Sequence, residues 1–153
     1  MTEHLQLIER HLLHLDKMRG YLEYSHRRVA PLMPIADWTA LSPAEHEMLA
    51  AFRVRFSEFQ EQMGKAMRAV AIEEEVDVDR FGSVLAYMEK LGVLDSAEHW
   101  KILRELRNSI NHLYEDDLVA LTEFFAELAD ATPALLGYYQ RLRAVCRDAY
   151  GIQ

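Results

Sequence analysis

The sequence predicts an all-α fold, and three observations lead to that prediction. Long stretches place apolar residues every three or four positions, which is the spacing of an amphipathic helix. The chain has only six Gly and four Pro in 153 residues, few for a sheet-rich fold with many turns. Its length is that of one domain. We therefore expect residues 1–153 to form a single helical domain, an up-and-down four-helix bundle with an additional short helix.

The first predicted helix runs from residue 2 to about residue 28. Its apolar positions recur at near-heptad spacing and are Leu5, Ile8, Leu12, Leu15 and Leu22. His4, His11 and His14 are interpreted as part of a solvated face, because no carboxylate completes a set of metal ligands. Pro31 and Pro34 stop this helix. Residues 29–41, which include Trp38, are expected to form a loop across the bundle.

The second predicted helix has the clearest start in the chain. Ser42-Pro43-Ala44-Glu45 combines an N-cap serine, proline at the first helical position and glutamate at the third, which is the capping-box pattern. The helix should continue to about Ile72. Its buried side is predicted from a Met and Phe stripe, formed by Met48, Phe52, Phe56, Phe59, Met63 and Met67.

Three further helices are predicted in the second half of the chain. Asp77 or Asp79 begins a short one, which Gly92 ends as a left-handed cap. Asp95-Ser96-Ala97-Glu98 offers another capping box for the next helix. Asp116-Asp117 opens the last helix, and Thr132-Pro133 is expected to interrupt it with a kink or a fresh start.

Composition narrows the classes of function. The formal net charge of −8 disfavours broad non-specific binding to nucleic acid or to an anionic membrane, although local basic patches remain compatible with it. The single Cys146 excludes an intramolecular disulfide and a zinc–cysteine cluster, and suits a reducing cytoplasm. The amino terminus lacks the pattern of a secretory signal, and no apolar run approaches the length of a membrane span.

The chemistry of the chain is concentrated in residues 104–114. Arg107 offers a planar fork of donors for a phosphate, and Asn108 and Asn111 are suited to position a ribose or backbone oxygen. His112 is suited to remove a proton from a 2′-hydroxyl or to donate one to a leaving oxygen. This set is sufficient for RNA cleavage without a metal or another cofactor. The alternative is a buried polar network that ties helices together, and the residues alone favour neither.

The spacing of this motif raises a geometric problem. Arg107 and His112 are five positions apart, so an ideal helix separates them by about 140° around its axis and ~7.5 Å along it. One straight helix does not easily aim both at a single small group. Either the helix distorts or ends here, or another surface completes the site. The acidic run that follows, Glu115-Asp116-Asp117, supports an ending.

The motif also carries a resemblance. Arg107-Asn108-x3-His112-x-Tyr114 resembles the Arg-x4–6-His signature of the HEPN superfamily, in its HepT-like branch, and the likeness extends over about residues 50–145. The resemblance implies a helical bundle that dimerises, with the motifs of two protomers facing each other across a cleft. It implies a toxin ribonuclease whose partner and antitoxin is a minimal nucleotidyltransferase.

The resemblance also implies roles for single residues. Arg107 would stabilise the scissile phosphate, His112 would be the acid/base group, and Asn108 would orient the substrate or the motif. Tyr114 would be the residue that the nucleotidyltransferase adenylylates. Lys101 and Arg104 are expected to extend a basic lining beside Arg107.

Two other functions remain open from the sequence. One is a non-catalytic subunit that presents substrate or nucleotide to a nucleotidyltransferase, which the acidic total charge favours. The other is a helical dimerisation module in which the polar motif is structural.

Overall fold

The computed structural model of the chain describes residues 1–113 and 116–153, which form helices and no strand. The α-helices in these ranges are α1 (Glu3–Val29), α2 (Pro43–Glu73), α3 (Phe81–Lys90), α4 (Ala97–Ser109) and α5 (Leu118–Tyr150). Short 3-10 turns lie at Ala30–Leu32, Trp38–Ala40 and Ile110–His112. The all-α prediction is therefore confirmed. Within the same ranges, no helix is both long enough and apolar enough to cross a membrane.

Helices α1 and α2 pack in opposite directions, and two histidines of α1 contribute to their contact. His4 Nε2 donates to the carbonyl oxygen of Ala69 at 2.8 Å. Nearer the middle of both helices, Gln62 Nε2 donates to His11 Nδ1 at 2.7 Å. The prediction of a solvated histidine face is therefore wrong for His4 and His11, which are half-buried, whereas His14 is exposed.

Helix α5 also runs antiparallel to α1. His26 Nε2, near the end of α1, donates to the carbonyl oxygen of Ala129 at 3.0 Å. Earlier in α1, Asp16 accepts hydrogen bonds from the Tyr139 hydroxyl and, at 2.7 Å, from Arg143 Nη2. Because the residue numbers rise along one helix as they fall along the other, the two helices point in opposite directions.

The fresh helix start predicted at Thr132-Pro133 does not occur, because α5 continues through both residues. Proline lacks the N–H that would normally bind the carbonyl oxygen of Ala129, four residues earlier. His26 supplies the missing donor from α1. Thr132 is fully buried and its Oγ1 donates to the Leu128 carbonyl oxygen at 2.9 Å, while Pro133 lies exposed. A side chain distant in sequence therefore makes proline acceptable inside this helix.

We expect His26→Ala to lower the free energy of unfolding by about 1–2 kcal/mol, because it leaves the buried Ala129 carbonyl oxygen without a donor. Urea denaturation measures the loss. The control is the same substitution in a Pro133→Ala background, where position 133 regains an N–H for that carbonyl. The loss should be smaller there, and equal losses in both backgrounds would contradict this account of the helix.

Side-chain hydrogen bonds determine where α2 and α3 begin. The predicted capping box of α2 is confirmed: Glu45 N donates to Ser42 Oγ at 3.1 Å and Ser42 N to Glu45 Oε1 at 2.8 Å. Helix α3 begins at Phe81, later than either predicted start. Asp79 N donates to Asp77 Oδ1 at 2.9 Å. This Asx turn uses the aspartate that would otherwise cap a helix.

The connection from α3 to α4 contains a glycine in the left-handed conformation. Gly92 has φ +79° just after α3, as predicted. The N-cap of α4 is Ser96, whose Oγ accepts from His99 N at 3.0 Å. The capping box predicted at Asp95 and Glu98 is therefore wrong: the N-cap lies one residue later, and the third helical position is His99 instead of a glutamate. Asp95 instead accepts from Arg141 Nη1 of α5 at 2.8 Å.

Helix α4 completes the packing and presents the motif. It buries Trp100 and Leu103, and its carboxyl-terminal Arg107 reaches the Ser57 carbonyl oxygen in the first half of α2. Most of the core side chains come from α1, α2 and α5. The largest fully buried side chains are those of Tyr138, Tyr139, Phe52, Phe56, Phe59, Ile8, Leu12, Leu15, Leu22, Leu49, Met63 and Met67.

Candidate functional site

The motif spans a change of helix type, as the angular problem in the sequence suggested. The α-helix ends at Ser109, and a single 3-10 turn continues over Ile110–His112. Ser109 Oγ donates to the Leu106 carbonyl oxygen at 2.7 Å. A 3-10 turn is tighter and rises more per residue than an α-helix. Arg107 therefore belongs to the last α-helical turn and His112 to a differently wound segment.

Arg107 is fixed against α2. Its side chain is 15% exposed and its Nη1 lies 3.9 Å from Glu61 Oε1. The same Nη1 donates to the Ser57 carbonyl oxygen at 3.4 Å, and Nε donates to Asn108 Oδ1 at 3.3 Å. Burial lowers the pKa of Arg107, Glu61 opposes that shift and Arg104 adds to it. Arginine remains protonated at neutral pH, so the site holds a positioned cation.

The other polar residues of the motif face solvent. Asn108, Asn111 and His112 are exposed. Within residues 1–113 and 116–153, the Asn111 and His112 side chains make no hydrogen bond. Among the described residues, nothing therefore occupies their donors and acceptors, which face solvent where a ligand can reach them. Tyr114, the residue that the resemblance marks for adenylylation, lies outside the described residues.

A cavity of about 310 Å³ lies beside Arg107, between α2, α3 and α4. Its walls combine cations with aromatic and small residues, and the lining residues are Gln60, Glu61, Gly64, Lys65, Arg68, Phe81, Trp100, Arg104 and Arg107. Four of these residues are cationic and one is acidic, in a chain whose formal net charge is −8. A local basic patch therefore exists despite the acidic total. We call this space the α2–α4 cavity.

The cavity gathers some of the predicted site residues and leaves others outside. Arg104 and Arg107 line it, whereas Lys101, half-buried on α4, does not. Asn108, Asn111 and His112 do not line it either. A single chain therefore keeps the guanidinium of Arg107 and the imidazole of His112 in different surroundings.

Sequence reasoning missed the contribution of α2. Gln60, Lys65 and Arg68 line the cavity, yet none was identified as a site residue from the sequence. One signal was present: Gln60 follows Phe56 by four positions and precedes Met63 by three, which places an amide on the apolar face of the helix. An amide there needs a partner, and that need points to a polar site.

The arrangement is suited to anionic ligands. Clustered guanidinium and ammonium groups bind phosphate, and the exposed imidazole of His112, on the turn after α4, is available for proton transfer. Within the described ranges, no three His, Cys, Asp or Glu side chains are grouped so as to hold a metal ion. Comparison with protein-family models, with curated proteins and with solved structures returned no match.

Proposed function

We propose that this chain is a HepT-like, metal-independent endoribonuclease, the cytoplasmic toxin of a pair whose antitoxin is a minimal nucleotidyltransferase. The observation that supports it best is the placement of the motif. Arg107 lies in the wall of a cationic cavity where α4 ends, and His112 is exposed on the turn that follows. Phosphate binding and proton transfer are the two tasks of RNA cleavage.

The structural alternative, a buried polar network between helices, fits these residues less well. Such networks are buried and have their hydrogen bonds satisfied. Among the described residues of the motif, Arg107 alone hydrogen-bonds to another helix, from its Nη1 to the Ser57 carbonyl oxygen of α2. Asn111 and His112 are exposed, so replacing them would remove no link between helices.

The proposed reaction is internal transesterification. The 2′-hydroxyl oxygen of a ribose attacks the adjacent phosphorus, the new P–O2′ bond forms and the P–O5′ bond breaks. The His112 imidazole accepts the 2′-hydroxyl proton and, as the imidazolium, gives a proton to the leaving O5′. Arg107 stabilises the charge that develops on the non-bridging oxygens. The products carry a 2′,3′-cyclic phosphate and a 5′-hydroxyl.

The proposal includes a homodimer of two up-and-down four-helix bundles, with the two α4 helices facing a shared cleft. A two-fold axis brings His112 of one protomer towards Arg107 of its partner, which answers the separation of these side chains along one chain. Exposed apolar side chains support such a contact: Ile102 of α4 is 50% exposed and Val119 of α5 is 71% exposed.

Chelator-treated protein should cleave an RNA oligonucleotide and leave 2′,3′-cyclic phosphate ends, because neither proposed group needs a metal. Mass spectrometry of the fragments measures this. The matched control is the same oligonucleotide with a single 2′-deoxy nucleotide at the principal cleavage site, which lacks the attacking oxygen. Equal cleavage at the deoxy position, or cleavage only with added Mg²⁺, would contradict the proposal.

The α2–α4 cavity favours a second candidate, a non-catalytic subunit that presents nucleotide to the nucleotidyltransferase. Its cations and apolar walls suit a nucleotide without requiring proton transfer. In that case the protein would bind nucleotide, leave RNA intact and keep its function when His112 is replaced.

Under the first proposal, Tyr114 is the residue that the nucleotidyltransferase adenylylates to silence the toxin.

A further inference from the structure

Gln60 is a buried amide without a hydrogen-bond partner. It is 2% exposed and lines the α2–α4 cavity. Neither its Nε2 nor its Oε1 has a partner among the residues that the structure describes. An unpaired buried amide destabilises a folded protein. A ligand that presents a donor and an acceptor side by side would remove this destabilisation, because its donor would bond the amide oxygen and its acceptor the amide nitrogen.

The walls around Gln60 suit a flat ring. Phe81 and Trp100 form aromatic parts of the lining, and Trp100 is 2% exposed. Gly64 also lines the cavity, and a Cβ built on it would be 3.5 Å from Phe81 Cζ. Glycine inside a helix is unfavourable, and here its missing side chain leaves room in the wall. The volume of about 310 Å³ is at the small end for ligand pockets.

The lining of the cavity also contains cationic side chains. Lys65 and Arg68 extend from α2, and Arg104 joins Arg107 from α4. Glu61 is the one acidic residue among the lining residues of the described chain. The cavity therefore combines an aromatic wall, an amide and several positive charges. A base joined to a phosphate has the three complementary features, since bases stack on aromatic rings and present hydrogen-bonding edges.

We propose that the α2–α4 cavity binds one nucleobase of the substrate RNA, with Gln60 bonded to the edge of the base and Arg104 bonded to its phosphate. This inference rests on the proposed ribonuclease function, in which Arg107 holds the neighbouring scissile phosphate. Gln60 then holds the base, because its amide pairs with a donor and an acceptor that lie side by side on the edge of the base. The cavity positions the nucleotide next to the cleavage site.

Calorimetric titration of the His112→Ala protein tests the site without RNA cleavage. The probes are 5′-AMP, 5′-GMP, 5′-CMP, 5′-UMP and inorganic phosphate. At least one nucleotide should bind more tightly than phosphate. Gln60→Leu should weaken that nucleotide about tenfold, the size of one good paired contact to a base edge, and leave phosphate unchanged. Arg104→Ala should weaken both.

A second measurement separates a ligand contact from a structural one. Gln60→Leu should raise the urea midpoint of the free protein, because it removes an unpartnered amide from a buried position. Gln62→Leu is the matched control. Gln62 is also buried but bonds His11, so its replacement should lower the midpoint and leave nucleotide binding unchanged.

Nucleotides that bind no more tightly than phosphate, or a Gln60→Leu protein that binds them like its parent, would overturn the base site. Active RNA cleavage in that case would leave the ribonuclease proposal standing. Conversely, base binding that depends on Gln60, in a protein that fails to cleave RNA, would support the base contact and remove the enzymatic proposal.

Discussion

Mixing Arg107→Ala protein with His112→Ala protein is expected to restore RNA cleavage that neither variant shows alone. Each substitution should lower the rate by about 10²–10⁴-fold, the usual contribution of a positioned acid/base or charged group. Recovery follows if one protomer supplies the guanidinium and its partner the imidazole. Mixed dimers then contain one site in which both side chains are intact.

Symmetry sets the size of the recovery. If protomers exchange freely, about half of the dimers are mixed, and each has one intact site out of two, so roughly a quarter of the parental activity should return. The measurement is initial cleavage rate after brief unfolding and joint refolding of equal amounts. A site built within one protomer cannot recover in this experiment, because every protomer then lacks one of its two groups.

His14→Ala is the control for loss of a histidine. His14 is exposed on α1, distant in sequence from the motif, and its replacement should leave the cleavage rate unchanged. Native mass spectrometry of tagged subunits establishes that mixed dimers have formed. If they form and the rate stays at the level of the single variants, the shared site is wrong.

Local sequence signals predicted most of the fold. Ser42 with Glu45 fixed the start of α2, and Gly92 fixed the end of α3. The errors arose where a distant partner changed a local preference. Pro133 stays inside α5 because His26 of α1 bonds the carbonyl that proline leaves free. Nothing in the sequence around residue 133 contains that information.

The candidate site was predictable only in part, for the same reason. The motif on α4 identified Arg107 and His112 from their chemistry and spacing. The α2 residues beside them became visible only when packing placed Lys65 and Gln60 against the same cavity. Periodicity assigned that face of α2 to the core, and the amide of Gln60 did not fit that assignment.

Asp16→Ala is expected to lower the free energy of unfolding by about 3 kcal/mol, because it breaks a largely buried ion pair and leaves its cation behind. The Asp16 and Arg143 side chains are 31% and 20% exposed, and they meet at 2.7 Å. Asp16 also accepts from the Tyr139 hydroxyl. Among the described residues, Arg143 Nη1 is buried without a hydrogen-bond partner, so loss of the carboxylate bonded to Nη2 leaves the guanidinium still less satisfied. Urea denaturation measures the effect.

Asp95→Ala is the matched control, since its pair with Arg141 has a similar distance of 2.8 Å but side chains that are 63% and 48% exposed. The hydrogen bond from Arg141 lowers the pKa of Asp95. That pair therefore contributes stability above the unfolded pKa of the carboxyl group and loses it as the pH falls through the folded pKa. At neutral pH it is intact but screened by water, so its loss should be much smaller.

Adding Arg143→Met to Asp16→Ala should recover part of the loss, because the stranded charge is then removed as well. Equal losses for the Asp16 and Asp95 variants would mean that burial does not set the strength of these pairs. If Asp16→Ala lowers the free energy of unfolding more than Asp95→Ala does, the difference arises from burial of the ion pair, since the N–O distances of the two pairs are similar. The link between α1 and α5 then depends on a charge that is kept from water.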